Sequence, residues 1–261
     1  KIFKIIKRNC KNLSYCPERI VQGKSIVELP KLPQLVSGKS KTAIIESGKL
    51  FKTICKKIIF TEILEAELVK LFSNAYRYIN FSISNQFYMI CQNQNLNFFK
   101  IRDIMREGYM RNANIPESGF TAGPCLLKDT MQLSSFYNHR FKLGHAAMSV
   151  NEGIPEFIIK KLQKKYDLKK KVVGVLGLTF KAETDDIRDS LAIKLVKLLK
   201  SKKIKTFQSD EFYNNEKNIS KKDLVKKSDI IILATPHKAY KNLKISKNKI
   251  VVDIWGLIEN K

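Results

Sequence analysis

From Thr61 to Gln94 apolar residues recur three or four positions apart, at Leu64, Leu68, Leu71, Phe72, Ala75, Ile79, Ile83, Phe87 and Ile90, with no Pro or Gly between them. That period predicts one long amphipathic helix, with Thr61 placed to cap its start. A helix of this length is more than a globular core needs; such helices span a domain junction or form a dimer spine. Lys70 and Asn74 lie four apart and project from one face. They fit a snorkelling lysine beside a surface amide, and equally a cation and an amide donor aimed together at developing negative charge.

Before this helix the pattern is short and broken. A strand is expected around Leu13–Cys16, strand and loop over 25–40 where Pro30 and Pro33 break any helix, an amphipathic helix over 39–57, and a strand over 57–61. After it come helices over 97–106 and 141–162, the second kinked or interrupted at Pro155, with a loop over 109–119 between them. From residue 169 the period changes. A β-branched strand at 171–176, a strand at 205–209 followed by Asp210, and apolar strands at 230–234 and 250–254 alternate with helical stretches at 190–201 and 221–227. Strand–helix alternation predicts an open parallel sheet covered by helices. Lys181, Asp185, Asp186 and Arg188 follow the first of these strands, and Thr235-Pro-His237 follows the third. Loops there read as groups for phosphate and ribose, or as ordinary polar loops.

Residues 119–129 carry the candidate chemistry. Gly119 and Gly123 punctuate a loop that runs into Pro124 and Cys125. Pro suits the first position of a helix, which puts Cys125 in the first turn, where backbone N–H groups and the helix dipole favour a thiolate. Lys128 adds positive charge, and Asp129 shares a helix face with Cys125. A thiol beside a carboxylate supports covalent catalysis followed by activation of water. A packing cysteine at a loop–helix join fits the same spacing.

Composition narrows the classes. The chain has 261 residues, 44% of them hydrophobic, and a formal charge of +25. No run of about eighteen apolar residues predicts a membrane span, and the basic start lacks the apolar core of a signal peptide. Five widely spaced cysteines without a C-x-x-C pair, and His139, His145 and His237 without metal spacing, point to reduced thiols in a cytoplasmic protein and to no metal. The lysines are spread along the chain rather than gathered with aromatics. Solvated faces therefore explain the charge better than nucleic acid, which is kept as an alternative partner.

Several segments together resemble the UDP-glucose/GDP-mannose dehydrogenase family of nucleotide-sugar 6-dehydrogenases. They are Tyr15-Cys-Pro-Glu-Arg19, Glu65 to Asn74, Gly119 to Asp129, Gly177 to Arg188, Asp229 to His237 and Val251 to Trp255, in the family's order and similar spacing across nearly the whole chain. The Cys-Pro-Glu-Arg and Ala-Gly-Pro-Cys variants are closest to its UDP-N-acetylmannosamine dehydrogenase-like branch. The resemblance implies an α/β fold: the C-terminal remnant of a Rossmann-like NAD-binding domain (1–60), a central helical dimerisation segment (61–160), and a second Rossmann-like parallel-sheet domain that binds the UDP-sugar (161–261). It implies oxidation of a sugar C6 hydroxyl to a carboxylate with NAD, for surface polysaccharide precursors. Cys125 would form the thiohemiacetal and thioester, and Lys70 and Asn74 would stabilise oxyanions. Asp129 and Glu18 would place water, Phe120, Gly123 and Lys181 would contact the sugar nucleotide, and Arg188 the cofactor. Arg111 would match the arginine that reaches across a homodimer built on the 61–95 helix.

The departures also carry information. The chain lacks the Gly-x-Gly-x-x-Gly turn of the family's first domain and does not begin with Met, which reads as a truncated sequence. Ser118 stands for a common Pro, Gln86 for a common Glu, Gln22 for an acid of some members, and Ala-Gly-Pro for Gly-Gly-Ser before the cysteine. These bear on sugar specificity more than on reaction class. A fragment that binds the UDP-sugar without turnover is the second hypothesis.

Overall fold

The computed structural model describes residues 10–121 and 123–258; residues 1–9, Ala122 and 259–261 lie outside the described residues. The chain forms two compact units, Lys1–Asn74 and Ala75–Lys261, so the division falls inside the long helix.

In the first unit, β1 (Ser14–Tyr15), β2 (Gln34–Gly38) and β3 (Ile58–Phe60) form a sheet in that order. β1 runs antiparallel to β2, with Ser14 opposite Gly38, and β2 runs parallel to β3, with Gln34 opposite Ile58. The crossover is α2 (Lys41–Lys52). Its start is fixed by Ser40, whose hydroxyl accepts from the Ala43 N–H at 3.1 Å, and its last turn carries Lys49 and Lys52 against the negative helix end. The expected helix over 39–57 is therefore too long. Thr53 to Lys57 return the chain to the sheet, where the Gln34 N–H bonds the Lys57 carbonyl at 2.9 Å. A one-turn helix, α1 (Ser25–Glu28), occupies part of the stretch read as strand and loop. It follows Gly23, whose φ of +84° makes the turn that starts it.

The long helix, α3 (Ile63–Asn93), spans both units and matches its prediction closely. At its start the Glu65 carboxylate accepts from the Thr61 hydroxyl and from the Glu62 N–H. At its end Asn95 turns to a φ of +55° and the Leu96 N–H reaches back to the Cys91 carbonyl at 2.8 Å, a left-handed cap.

The second unit continues with α4 (Phe98–Arg106), α5 (Leu126–Phe136) and α6 (Lys142–Lys165). Pro155 lies inside α6, which continues past it instead of being interrupted. The second sheet consists of β4 (Val173–Leu176), β5 (Thr206–Ser209), β6 (Ile230–Leu233) and β7 (Ile250–Asp253). All pairs are parallel, in the order β5-β4-β6-β7. Crossover helices α7 (Leu191–Ser201) and α8 (Lys221–Lys227) are capped by the Ser190 and Ser220 hydroxyls.

Alternation along the strands sorts the core into two layers. Val173, Val175, Ile230 and Ile232 join a cluster with Ile154, Ile158, Leu195 and Leu199 of α6 and α7. Leu176, Ile231 and Leu233 join Leu224, Val225 and Tyr240 on the other face. Burial on both faces is why these strands read as continuous apolar runs. Gly174 belongs to this packing. A Cβ there would lie 2.4 Å from Leu224 Cδ2 and 2.5 Å from Ser228 Oγ, so its absence lets α8 close on the sheet. Gly174→Ala is expected to lower the unfolding free energy by about 1–3 kcal/mol through overpacking, measured by urea denaturation.

Candidate functional site

In the first unit the structure brings together two residues that the sequence keeps 52 positions apart. Lys70 on α3 donates to the Glu18 carbonyl at 2.7 Å and to its carboxylate at 2.9 Å. The Lys70 side chain is 22% exposed and that of Glu18 59%. Glu18 is held in turn by the Ile20 N–H, which donates to its other oxygen at 3.0 Å. Gln34 Nε2 donates to the Pro17 carbonyl at 3.1 Å and Arg19 to that of Pro33 at 2.6 Å, so the Cys-Pro-Glu-Arg segment is fixed on both sides of its glutamate. Asn74 is buried one helical turn beyond Lys70.

In the second unit Cys125 is exposed and is the N-cap of α5 rather than a residue of its first turn. The helix begins at Leu126, two residues later than a start at Pro124 predicts, and the Asp129 N–H donates to the Cys125 carbonyl at 2.9 Å. The thiol therefore sits at the positive end of the helix. Asp129 is only 6% exposed on the first turn, and Lys128 Nζ stands 3.8 Å from its carboxylate. Upstream, Gly123 has a φ of +106°, and a Cβ there would meet the Phe180 ring at 2.5 Å. Phe180 follows β4, and its N–H donates to the Asp186 carbonyl at 3.0 Å. The loop before Cys125 thus packs against the loop at the carboxyl end of β4, the edge where α/β sheets bind ligands.

That edge also carries Lys181 and Arg188. The Lys181 carbonyl accepts from the Thr179 and Thr184 hydroxyls, both at 2.9 Å. Arg188 is exposed and forks onto Asp186, with Nη2 at 2.6 Å and Nε at 3.0 and 3.1 Å from its oxygens. The hydrogen bonds and charge of Asp186, and to a smaller degree the charge of Cys125, push the guanidinium further above its ordinary value. Phe120 has its side chain in the core, so a ligand contact there falls to its main chain. Arg111 lies in the 3-10 turn Met110–Asn112 and stacks on Tyr109, 5.5 Å from the ring centre.

Thr235 and His237 brace the loops instead of facing outward. The Thr235 hydroxyl donates to the Thr179 carbonyl at 2.6 Å. His237 is fully buried, and its Nδ1 accepts from the Glu183 N–H at 3.1 Å. The ring proton is therefore assigned to Nε2, which faces Asp210 at 3.2 Å and the Thr179 hydroxyl at 3.3 Å. Asp210 accepts in addition from the Leu178, Thr179, Phe212 and Tyr213 N–H groups. Burial alone would raise its pKa, but the His237 and backbone hydrogen bonds outweigh it and hold the carboxyl below its ordinary 3.8. Single-sequence reading missed this cluster because Thr179, Glu183, Asp210 and His237 come from the ends of three different strands.

Among the described residues no cluster of His, Cys, Asp or Glu has the arrangement of a metal site, and no helix is long and apolar enough to cross a membrane. They also contain no glycine-rich strand–helix turn that would cradle a dinucleotide. The one crossover of the first sheet, β2–α2, turns through Gly38-Lys39-Ser40. The residues present do not build an NAD site by themselves.

Residues 64–153 match the central domain of the UDP-glucose/GDP-mannose dehydrogenase family, and residues 174–260 match its UDP binding domain. The chain is 28% identical over 259 residues to the UDP-N-acetyl-D-mannosamine dehydrogenase of Pyrococcus horikoshii, covering 95% of this chain and 62% of that protein. It is 30% identical over 271 residues to the UDP-glucose 6-dehydrogenase of Rickettsia felis, covering 94% and 57%. The solved Pyrococcus horikoshii enzyme superposes with a TM-score of 0.85 at 27% identity, over 95% of this chain and 62% of that one. The Staphylococcus aureus UDP-N-acetyl-mannosamine dehydrogenase superposes with 0.82 at 26%, over 95% and 60%. The chain thus spans about three fifths of the length of these relatives.

The sign of the Asp210 shift gives a pH prediction. A carboxyl whose folded pKa is depressed stabilises the fold fully above its unfolded value, and that stability is lost as pH falls through the folded value. Urea unfolding between pH 5 and 2 is expected to weaken more steeply for the wild type than for Asp210→Asn. Parallel curves would show that this carboxylate is not a source of acid sensitivity.

Proposed function

The chain belongs to the UDP-glucose/GDP-mannose dehydrogenase family, and from that premise we propose that it acts in the oxidation of a UDP-sugar C6 hydroxyl to a carboxylate, with Cys125 as nucleophile. The observation that carries this reading is the exposed thiol at the N-terminus of α5, with Asp129 one turn on, inside the segment that matches the family's central domain. UDP-N-acetylmannosamine is the substrate to assay first, because several similar proteins bear that name.

The reaction releases two hydrides, for which the acceptor class is NAD. The residues present do not form its cradle, so the roles assigned are those of this chain's own groups. The C6 alcohol loses a hydride and a proton to give the aldehyde. The Cys125 thiolate adds to the carbonyl carbon, and the resulting thiohemiacetal loses the second hydride to become a thioester. Water then cleaves the C–S bond, releasing the carboxylate and restoring the thiol. Asp129, buried beside the helix start, suits the orientation of that water. Glu18, Lys70 and Asn74 take their roles from the family motifs: Glu18 as a second water-placing acid, Lys70 and Asn74 as donors to the oxyanions. The Lys70 side chain, 22% exposed with its ammonium tethered to Glu18, is pre-oriented as such a donor needs to be. Phe120, Gly123 and Lys181 are assigned to the sugar nucleotide, Arg188 to the cofactor, and the setting to the cytoplasm.

A homodimer through α3 belongs to the same reading, with Arg111 reaching toward the partner. Tyr76, Ile83, Phe87 and Ile90 are exposed large hydrophobics on one stripe of that helix, spaced as the seam of a helix pair. Residues 1–60 remain assigned to the NAD-binding domain, 61–160 to dimerisation and catalysis, and 161–261 to the UDP-sugar. The match of residues 174–260 to the family's UDP binding domain supports a second reading, a module that binds the UDP-sugar without turnover.

With UDP-N-acetylmannosamine and NAD, Cys125→Ser is expected to abolish acid and NADH formation, and Lys70→Ala to lower turnover by on the order of 10²–10³. Acid formation by Cys125→Ser at the wild-type rate would reject the nucleophile. UDP-sugar binding with no NADH from the wild type would select the binding module. Ile83→Lys is expected to convert a dimer to a monomer in sedimentation velocity; a wild-type monomer would reject the α3 interface.

A further inference from the structure

Asn85 and Asn151 are both completely buried, at 0% exposure, yet no step above uses them. Asn85 lies on α3 and Asn151 on α6, 66 residues apart. The Gly119 N–H donates to Asn85 Oδ1 at 2.8 Å, Asn85 Nδ2 donates to Asn151 Oδ1 at 2.8 Å, and Asn151 Nδ2 donates to the Tyr78 carbonyl at 3.1 Å. The polarity of this chain is fixed at both ends. A main-chain N–H can only donate and a carbonyl can only accept, so neither amide can flip. Two leucines would reproduce the branched shape without burying two amides. What leucines cannot do is hold the Gly119 N–H.

Gly119 is where the nucleophile loop needs holding. Its φ is +153°, and a Cβ there would lie 2.4 Å from Trp255 Cε3. The neighbours are tethered as well: Ser84 donates to the Pro116 carbonyl at 2.8 Å and Ser118 to that of Ile254 at 2.9 Å. The asparagine pair is the part of this clamp that grips the loop by its backbone N–H, six residues before the thiol.

We infer that Asn85 and Asn151 are positioning residues that hold the Gly119–Cys125 loop in its reactive shape; the inference rests on the reading of Cys125 as nucleophile. Three measurements on the full chain test it: the protection factor of the Gly119 amide against hydrogen exchange, and the iodoacetamide alkylation rates of Cys125 and of buried Cys91, resolved by mass spectrometry.

Asn85→Leu leaves the Gly119 N–H without its acceptor. It is expected to lower Gly119 protection on the order of tenfold or more and to change Cys125 alkylation by roughly threefold or more, with Cys91 unchanged. Asn85→Asp supplies the rescue. Its neutral carboxyl offers the same acceptor to Gly119 and a hydroxyl donor to Asn151, so protection should return at low pH. Once ionised it still accepts from Gly119 but no longer donates to Asn151 Oδ1 and faces that oxygen acceptor to acceptor, so protection should fall. A merely structural amide would show no such pH-dependent rescue. Unchanged Gly119 protection in Asn85→Leu, or Cys91 alkylation rising in step with Cys125, would overturn the inference. If Asn85→Leu does not fold, Asn85→Asp read across pH decides by itself. Wild-type oxidation by Cys125→Ser would remove the nucleophile reading, while the exchange data would still decide whether the pair holds the loop.

Discussion

The loop before Cys125 threads between two aromatic rings at points where no side chain fits. Trp255, just past β7, covers Gly119, and Phe180, just past β4, covers Gly123. The rings are fixed from behind: Trp255 Nε1 donates to the Ala234 carbonyl at 2.9 Å, and the Phe180 N–H to Asp186 at 3.0 Å. The shape of the Cys125 loop is therefore a property of the parallel sheet. The sheet's loops in turn owe their positions to strands that are buried on both faces. A change in how α8 or α7 packs would be felt at the thiol through these rings, because a close-packed interior passes displacement on instead of absorbing it.

Two carboxylates at strand ends show how the same local motif acquires opposite electrostatics. Asp210 follows β5 and Asp253 ends β7, and each accepts several backbone N–H groups from the residues just after it. Asp253 is dominated by burial, which raises its pKa despite those bonds. Asp210 is buried too, but His237 and the Leu178 N–H add donors from other loops, and its pKa falls. By linkage, Asp210 stabilises the fold at neutral pH, while Asp253 favours the fold more when neutral. The difference lies in the long-range partner, which no local turn pattern encodes. The hydrogen bonds of His237 spend both its nitrogens on holding the loops after β4, β5 and β6, and none on a ligand.

What the sequence made legible follows from range. α3 was readable because its period runs unbroken over eight turns. β4 and β6 were readable because burial on both faces makes them continuous apolar runs. The ends of short elements were not. α2 stops at Lys52 because the sheet needs five residues of return, and α1 forms where Pro30 and Pro33 suggested extended chain. Cys125 moved from first turn to N-cap because Pro124 ends the loop instead of starting the helix. Lys70 and Glu18 were singled out separately, by motif, and their contact came only with the fold. Asn85 and Asn151 left no trace at all, since a buried amide inside a helix looks like any surface amide until its partners are known.

The helix α3 also explains how one element can serve two surfaces. At 3.6 residues per turn, Tyr76, Ile83 and Ile90 fall within about 40° of one another around its axis. Tyr78 and Asn85, which carry the two ends of the asparagine chain on this helix, lie roughly 180° from that stripe. The face that meets the loop is buried in this chain, and the opposite face is left exposed and apolar. Turning the helix to improve one face would misalign the other. A partner packed on the exposed stripe would therefore fix the azimuth of Asn85, and with it the backbone of Gly119. On this geometry, the exposed apolar stripe and the buried face that holds the Gly119 backbone share one helix orientation.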